Sequence, residues 1–510
     1  MHLTADNWLL SAGVFTPLAG VLVMLFLPRT RDLELKVVAL VASVVTLAFG
    51  IVTLARFDYD QAGTLQFYVN TKWIDVIHAR YILGIDGVSL PLYLLSMGIV
   101  VLCIIYSWDH IPAPGNPKAF LILILILEVG MNGTFVAQDL ILFFVFFEVV
   151  LLPMYFMIGV WGGDNRQYAS IKFFLYTLFG SALMLLSFLA LFFQTGAVSF
   201  SMEYLAANTS GIAHNTQLWI FAGLFIGFAV KVPMFPFHTW LPDAHTEAPT
   251  VGSVLLAAIL LKLGSYGFIR IAIPILPDAA HSWAPWIGGL AVIGIIYGAL
   301  CCLAQTDMKR LIAFSSVSHM GFVMLGIATL TSFGLNAALF GMVAHGLITG
   351  MLFFLAGSVK ERYHSLEIRR LGGLLKAMPR LGWVMGFCAM ASLGLPGLAG
   401  FWGEFPAILS SYNPAAGLKV ETFRIFMVVA AIGTVLAAGY LLWLYQRAFF
   451  GEESAFVVET EHHGHVRDIL PLEYVAWTPM LIAILVFGLW PNLLFKVLDP
   501  AVGVALQAVG

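Results

Sequence analysis

Charge is what this sequence has least of. Only 10% of its 510 residues are Asp, Glu, Lys or Arg, while 60% are hydrophobic. A soluble globular chain is nearer a quarter charged and half apolar. Too few charges are present to cover a water-facing surface, so most of the surface must face lipid. The formal net charge of −3 and the absence of a basic cluster exclude an electrostatic footprint for nucleic acid. Cysteine is scarce too. Cys103, Cys301, Cys302 and Cys388 all lie inside apolar runs without a CxxC pair, which argues against an iron–sulfur cluster or a structural zinc and for buried reduced thiols. No HExxH metal motif occurs. No basic segment precedes the first apolar run, so that run reads as a retained span rather than a cleaved leader.

Long apolar runs are abundant. About 18 apolar residues suffice to cross the hydrocarbon core as a helix. Fourteen such runs lie near 8–28, 35–55, 86–107, 118–137, 139–161, 171–194, 216–239, 249–273, 285–305, 309–331, 336–358, 380–411, 423–448 and 471–496. They lack period-2 alternation, and backbone groups in lipid must be satisfied internally, so a lipid-exposed sheet is excluded. The expected fold is an all-α polytopic membrane protein of about 14 transmembrane helices. Placing the N-terminus outside puts sixteen of the 25 Lys and Arg residues in inner loops and seven in outer ones, with Lys231 and Lys262 inside spans. The excess of basic residues on one side marks the cytoplasm. Both termini are then expected on the periplasmic side of a bacterial inner membrane.

Two runs carry helix breakers. KVPMFPFHTWLPDAHTEAP holds Pro233, Pro236, Pro242 and Pro249, and GLPGLAGFWGEFP holds Gly394, Pro396, Gly397, Gly400, Gly403 and Pro406. Interrupted helices at corresponding places in two halves point to a transport site. Glu148 and Lys231 are 83 residues apart, and His319 and Glu404 are 85 apart. These offsets suggest two inverted five-helix repeats, each with a broken helix. The organisation expected is an N-terminal three-helix segment over 1–117, a first repeat over 118–273, a second over 285–450, and a C-terminal helix within 451–510.

A charge at membrane depth costs at least about 2.5–3.5 kcal/mol, so each one needs a reason. Glu148, in LILFFVFFEVVLLPMYF, is too short and too deep to reach the interface; its plain alternative is a protonated packing carboxyl. Lys231 stands two residues before Pro233, which lacks a backbone donor, and a Lys at a helix end also has the option of snorkelling. Lys262, in VLLAAILLKLGSYGF, sits near the middle of its span. Glu404 follows the second break, where a capping carboxylate would also sit. His238 and His245 flank Trp240, while His319 and His345 lie within the tenth and eleventh runs. Histidine passes protons in either direction near neutral pH, and together these groups read as a relay. Glu128 is a further buried carboxyl with no assigned part. Asp139 and Asp307 read as N-caps, and Lys309 and Arg310 as interfacial anchors.

Four stretches carry a resemblance: QDLILFFVFFEVVLLPMYFMIG, KVPMFPFHTWLPDAHTEAPTVGSVLLAAILLKLGSYG, DMKRLIAFSSVSHMGFV and LGLPGLAGFWGEF. They resemble the antiporter-like subunits of respiratory complex I, NADH:quinone oxidoreductase, from the third span to the thirteenth. Of that family's L, M and N branches, L and N carry a Lys in the broken twelfth span and M a Glu. Glu404, and a chain ending after fourteen spans, therefore resemble the M branch. The resemblance implies a proton-translocating, non-redox subunit of the translocase. Glu148 with Lys231 would be its charge pair, Lys262 its central relay, Glu404 its exit group, and His238, His319 and His345 its relay histidines. With no GxGxxG and no cysteine cluster, cofactors are expected in partner subunits: flavin, iron–sulfur clusters and quinone. The expected partners are other complex I subunits, especially the paralogous antiporter-like ones, with lipid, protons and water. A subunit of a multisubunit cation/proton antiporter or of a membrane-bound hydrogenase is the alternative.

Burial disfavours the charged form of Lys and of Glu, and an opposite charge nearby restores it. Pairing Glu148 with Lys231 holds the lysine charged. Breaking the pair frees its proton for Lys262 and, through water and histidine, for Glu404.

Overall fold

The computed structural model describes residues 7–463 and 466–507. Among these, twelve helical segments are long and apolar enough to cross a membrane. They are Trp8–Phe26, Asp32–Arg56, Ser89–Tyr106, Pro117–Val136, Leu140–Trp161, Arg166–Gln194, Thr250–Ile275, Pro277–Leu303, Met308–Ala328, Ser332–Tyr363, Val420–Phe449 and Pro471–Leu489. The other two apolar runs are the ones with breakers, and both are interrupted. His214–Lys231 stops and resumes as Trp240–Glu247; Pro379–Ser392 stops and resumes as Ala399–Ser410. Counting these two as the seventh and twelfth gives fourteen spans in chain order.

Local chemistry explains the boundaries. Asp139 accepts from the backbone N–H groups of Ile141 and Leu142 at 3.0 and 3.1 Å, and Asp307 accepts from that of Arg310 at 2.8 Å. Both are N-caps, as their sequence contexts suggest. The fifth span is offset at Val150, two residues after Glu148, where Leu140–Val149 gives way to Leu151–Trp161. Pro153 accounts for this, since it has no N–H for the Val149 carbonyl and its ring crowds that group.

The first break frees the Val230 carbonyl, which accepts from the Trp240 indole at 2.9 Å; such a group must find a partner inside a membrane. The second break turns on Gly394 and Gly397, at φ +79° and +93°, a left-handed conformation that costs glycine little.

The eighth span is not a plain α-helix. Two wide π turns, Leu256–Leu260 and Phe268–Ala272, bracket the α-helical segment Leu261–Gly267 that carries Lys262. Such turns are rare and concentrate at functional sites.

The spans are unequally covered. In the eighth, tenth and eleventh, 94% of the most apolar window is buried within the chain, against 28% in the thirteenth. The three innermost spans are those bearing Lys262, His319 and His345. One element was not foreseen from the sequence. Strands β1 (Gln66–Ile74) and β2 (Ala79–Ile85) form an antiparallel hairpin, tied to the first span by Tyr81 and Ser11 at 2.7 Å and to the start of the fifth through Gln138 N–H donating to the Ile82 carbonyl at 2.9 Å.

Candidate functional site

The charged groups named from the sequence fall into two sets. In the first, Lys231 ends the first half of the broken seventh span, almost wholly buried, with an ammonium that has no hydrogen-bond partner. Its Nζ lies 4.8 Å from the centre of the Phe147 ring, a cation–π contact that partly replaces lost hydration. Glu148, the next residue after Phe147, lies near Ser181 and within the electrostatic influence of Lys231. The two residues are electrostatic neighbours without a direct hydrogen bond to the ammonium. Burying an ammonium without a hydrogen-bonded counter-charge is costly.

The second set forms a row. Lys262 bonds through Nζ to the carbonyl of Ala257, in the first π turn of its own span, and to His345 Nδ1 at 2.6 Å. The His345 and His319 rings are 6.0 Å apart between centroids. His319 Nδ1 meets Glu404 Oε1 at 2.5 Å, and its Nε2 meets Tyr440 OH at 3.0 Å and Ser392 Oγ at 3.2 Å. A cavity lined by His319, His345, Thr349, Ser392 and Glu404 lies between them, with about 20 Å³ open to the centres of water molecules. One water needs roughly 10–15 Å³ measured this way. His345 Nε2 and Glu404 Oε2 have no protein partner.

The tautomers follow from these partners. With Lys262 donating to His345 Nδ1, the His345 proton sits on Nε2. With Glu404 ionised, His319 donates from Nδ1 and accepts from Tyr440 at Nε2. Each imidazole has its two nitrogens in different environments, the arrangement needed to take a proton at one and release it at the other.

The tertiary structure sets His238 apart from this row. It is buried beside Phe235 and Tyr297, ring centroids 5.8 and 5.1 Å away, with Nδ1 unpartnered. His245, which the sequence placed beside Trp240 among the histidines read together as a relay, stands alone. It is fully buried, stacks on Phe353 at 4.5 Å, and leaves both ring nitrogens without a partner. The anchor reading of Lys309 is wrong. Lys309 is 2% exposed and donates through Nζ to the Ala248 carbonyl at 2.5 Å, where the second half of the seventh span ends. Carbonyls at a helix C-terminus attract a cation, and that attraction draws the side chain inward. Arg310 stays exposed, 3.7 Å from Asp243. Glu128 is fully buried with both carboxyl oxygens unpartnered. Cys103, Cys302 and Cys388 are buried, and Cys301 is partly exposed. Tyr440 and Ser392 escaped the sequence reading because a hydroxyl in an apolar run carries no signal without its tertiary partner.

Comparison with known proteins assigns the chain to a lineage. Residues 137–437 match the family described as NADH:quinone oxidoreductase/Mrp antiporter, TM, and residues 37–134 match NADH-ubiquinone oxidoreductase chain 4, amino terminus. NADH-quinone oxidoreductase subunit M of Rickettsia typhi is 40% identical over 495 residues, 96% of this chain and 97% of that one.

The chain belongs to the NADH-quinone oxidoreductase subunit M family.

A chain of respiratory complex I from Thermus thermophilus with bound NADH superposes with a TM-score of 0.86 at 28% identity, covering 98% of this chain and 100% of that one. A chain of the Mrp complex from Dietzia sp. DQ12-45-1b shares the fold, with a TM-score of 0.83 at 20% identity, covering 99% of this chain and 52% of that one. The subunit M relative from Rickettsia typhi is matched over nearly its whole length, whereas this chain covers about half of the Mrp chain. The fold class expected from sequence, an all-helical polytopic membrane protein, is the fold of this family.

Proposed function

We propose that this member of the subunit M family carries protons across the membrane within NADH:quinone oxidoreductase, along a relay that starts at Glu148 and Lys231, passes through Lys262, His345 and His319, and ends at Glu404. The row Lys262–His345–His319–Glu404 carries this reading. Every neighbouring pair in it is in direct hydrogen-bond contact, except the two histidines, and those share a cavity large enough for water. When Glu148 and Lys231 draw together, the charge on Lys231 is held; when they separate, its proton is released toward Lys262. Moving one charge against the membrane potential costs about 2.3 kcal/mol per 100 mV. Making or breaking a buried ion pair involves energies of that size or larger. Flavin, iron–sulfur and quinone chemistry belongs to partner subunits, among them the paralogous antiporter-like ones.

The two five-helix units act as half-channels, with Lys231 at the break of one and Glu404 just past the break of the other. The basic loops, including 362–380, lie in the cytoplasm and both termini in the periplasm. His238, buried apart from the row, serves the seventh-span break rather than the central relay. Proton translocation per NADH oxidised, measured with the assembled complex in vesicles, tests the reading. Glu404→Gln is expected to lower that ratio while the complex still assembles; a parental ratio would reduce Glu404 to a helix cap.

A further inference from the structure

The relay stops at Glu404, whose Oε2 has no protein partner. Two residues further along the same half-helix, Pro406 lines a second, larger cavity of about 430 Å³ together with Asn336, Asn492, Phe495, Lys496 and Asp499. Asn336 is 7% exposed; its Nδ2 donates to Asp499 Oδ1 at 2.7 Å, and its own Oδ1 is unpartnered. Asp499 and Lys496 are exposed and sit on the helix Asn492–Leu506 that follows the last span. A buried amide with one free acceptor in a roomy cavity, linked to a surface carboxylate, is a place for ordered water.

The eleventh span connects the two cavities. Asn336, Phe340 and Ala344 recur every four residues and so share one stripe of that helix. Asn336 lines the outer cavity and Ala344 the relay cavity, roughly 12 Å apart along the axis at 1.5 Å per residue. Phe340 lies between them, fully buried, its ring 5.0 Å from that of Phe495. At this level the eleventh and twelfth spans are pressed together. A Cβ on Gly403 would come 2.5 Å from the Cα of Gly341, so the two backbones touch at that crossing.

We infer that the Asn336–Asp499 cavity is the outer vestibule through which protons released by Glu404 leave, and that the Phe340–Phe495 ring pair is the apolar barrier separating it from the relay. The inference rests on the relay proposed above. The steps are plain proton transfers. Glu404 gives its proton to water, the hydrated proton passes the ring pair while it is wetted, and the Asp499 carboxylate accepts it and returns it to the outer solution. Apolar constrictions gate in this way, by wetting and dewetting. The free Oδ1 of Asn336 orients the water that crosses.

Three variants of the assembled complex in vesicles test this. Asp499→Asn keeps an oxygen to accept from Asn336 but removes the titratable carboxylate. It is expected to lower the proton-to-NADH ratio, whereas a structural staple would leave that ratio unchanged. Phe495→Ala is expected to raise the passive proton leak severalfold. Asn336→Cys is expected to react with a membrane-impermeant thiol reagent from the outer side only, against the parent chain with its own four cysteines as background. A parental ratio in Asp499→Asn, an unchanged leak in Phe495→Ala, or labelling that is absent or confined to the cytoplasmic side would overturn the vestibule. Glu404→Gln in parallel separates the two ideas. If it pumps normally, the relay itself fails; if it is impaired while the three variants behave as parent, only the exit is wrong.

Discussion

His345 Nδ1 lies 2.6 Å from Lys262 Nζ, joining the eleventh span to the eighth. Both spans are almost completely enclosed by others, so this ammonium cannot reach water by snorkelling. Its protein partners are one imidazole and one carbonyl of a π turn, two for an ammonium with three donors.

Lys262→Met should therefore separate function from stability. It removes a buried charge and fills the same volume with an apolar side chain, a change that is commonly neutral or stabilising. The thermal midpoint of the purified complex is expected to stay level or rise, while proton translocation per NADH collapses. A lower midpoint with pumping retained would mark Lys262 as a structural residue.

Glu148 and Lys231 should behave as one unit. Glu148→Gln leaves the lysine without its counter-charge, and Lys231→Ala removes the proton carrier. Each is expected to impair pumping, the double variant little more than either, because residues that act together are non-additive. Glu148→Asp keeps the charge and should retain part of the activity. Strictly additive losses in vesicle pumping would make the pair merely structural.

Tyr440→Phe removes the hydroxyl that meets His319 Nε2 and leaves the ring's packing in place. A neutral hydrogen bond contributes about 0.5–1.5 kcal/mol, so a slowing of roughly 2- to 10-fold is expected in single-turnover proton release, with the complex still assembled. No change in rate would place Tyr440 outside the relay.

Topology can be read directly. A reporter inserted between Arg362 and Arg380 should be active only as a cytoplasmic fusion, and one at Gly510, which lies outside the described residues, only as a periplasmic one. The reverse pattern at either site would undo the side assignment that the Lys and Arg split supports.

The sequence by itself determined the lipid-facing class, the fourteen runs and the two breaks. Each of these is a local property: apolar length, or the missing N–H of proline and the free φ of glycine. It also singled out Glu148, Lys231, Lys262 and Glu404, because a charge inside an apolar run is costly wherever the chain goes. Which of these groups meet was decided only by tertiary packing. Lys262 and His345 are 83 residues apart in sequence, and His319 and Glu404 are 85 apart, yet both pairs are in contact. His238 carries the same residue-level signal as His319 but is packed among aromatic rings instead. Lys309 shows the opposite case. Next to Arg310 at the start of a span it reads as a surface anchor, yet the carbonyl end of a half-helix from another part of the chain draws it inside. The hydroxyls of Tyr440 and Ser392 stayed hidden because each depends on a partner distant in sequence, and the π turns because one extra residue in a helical turn leaves no mark in composition or periodicity. The hairpin over 66–85 is local, but it lies between apolar runs, where run length carries no signal.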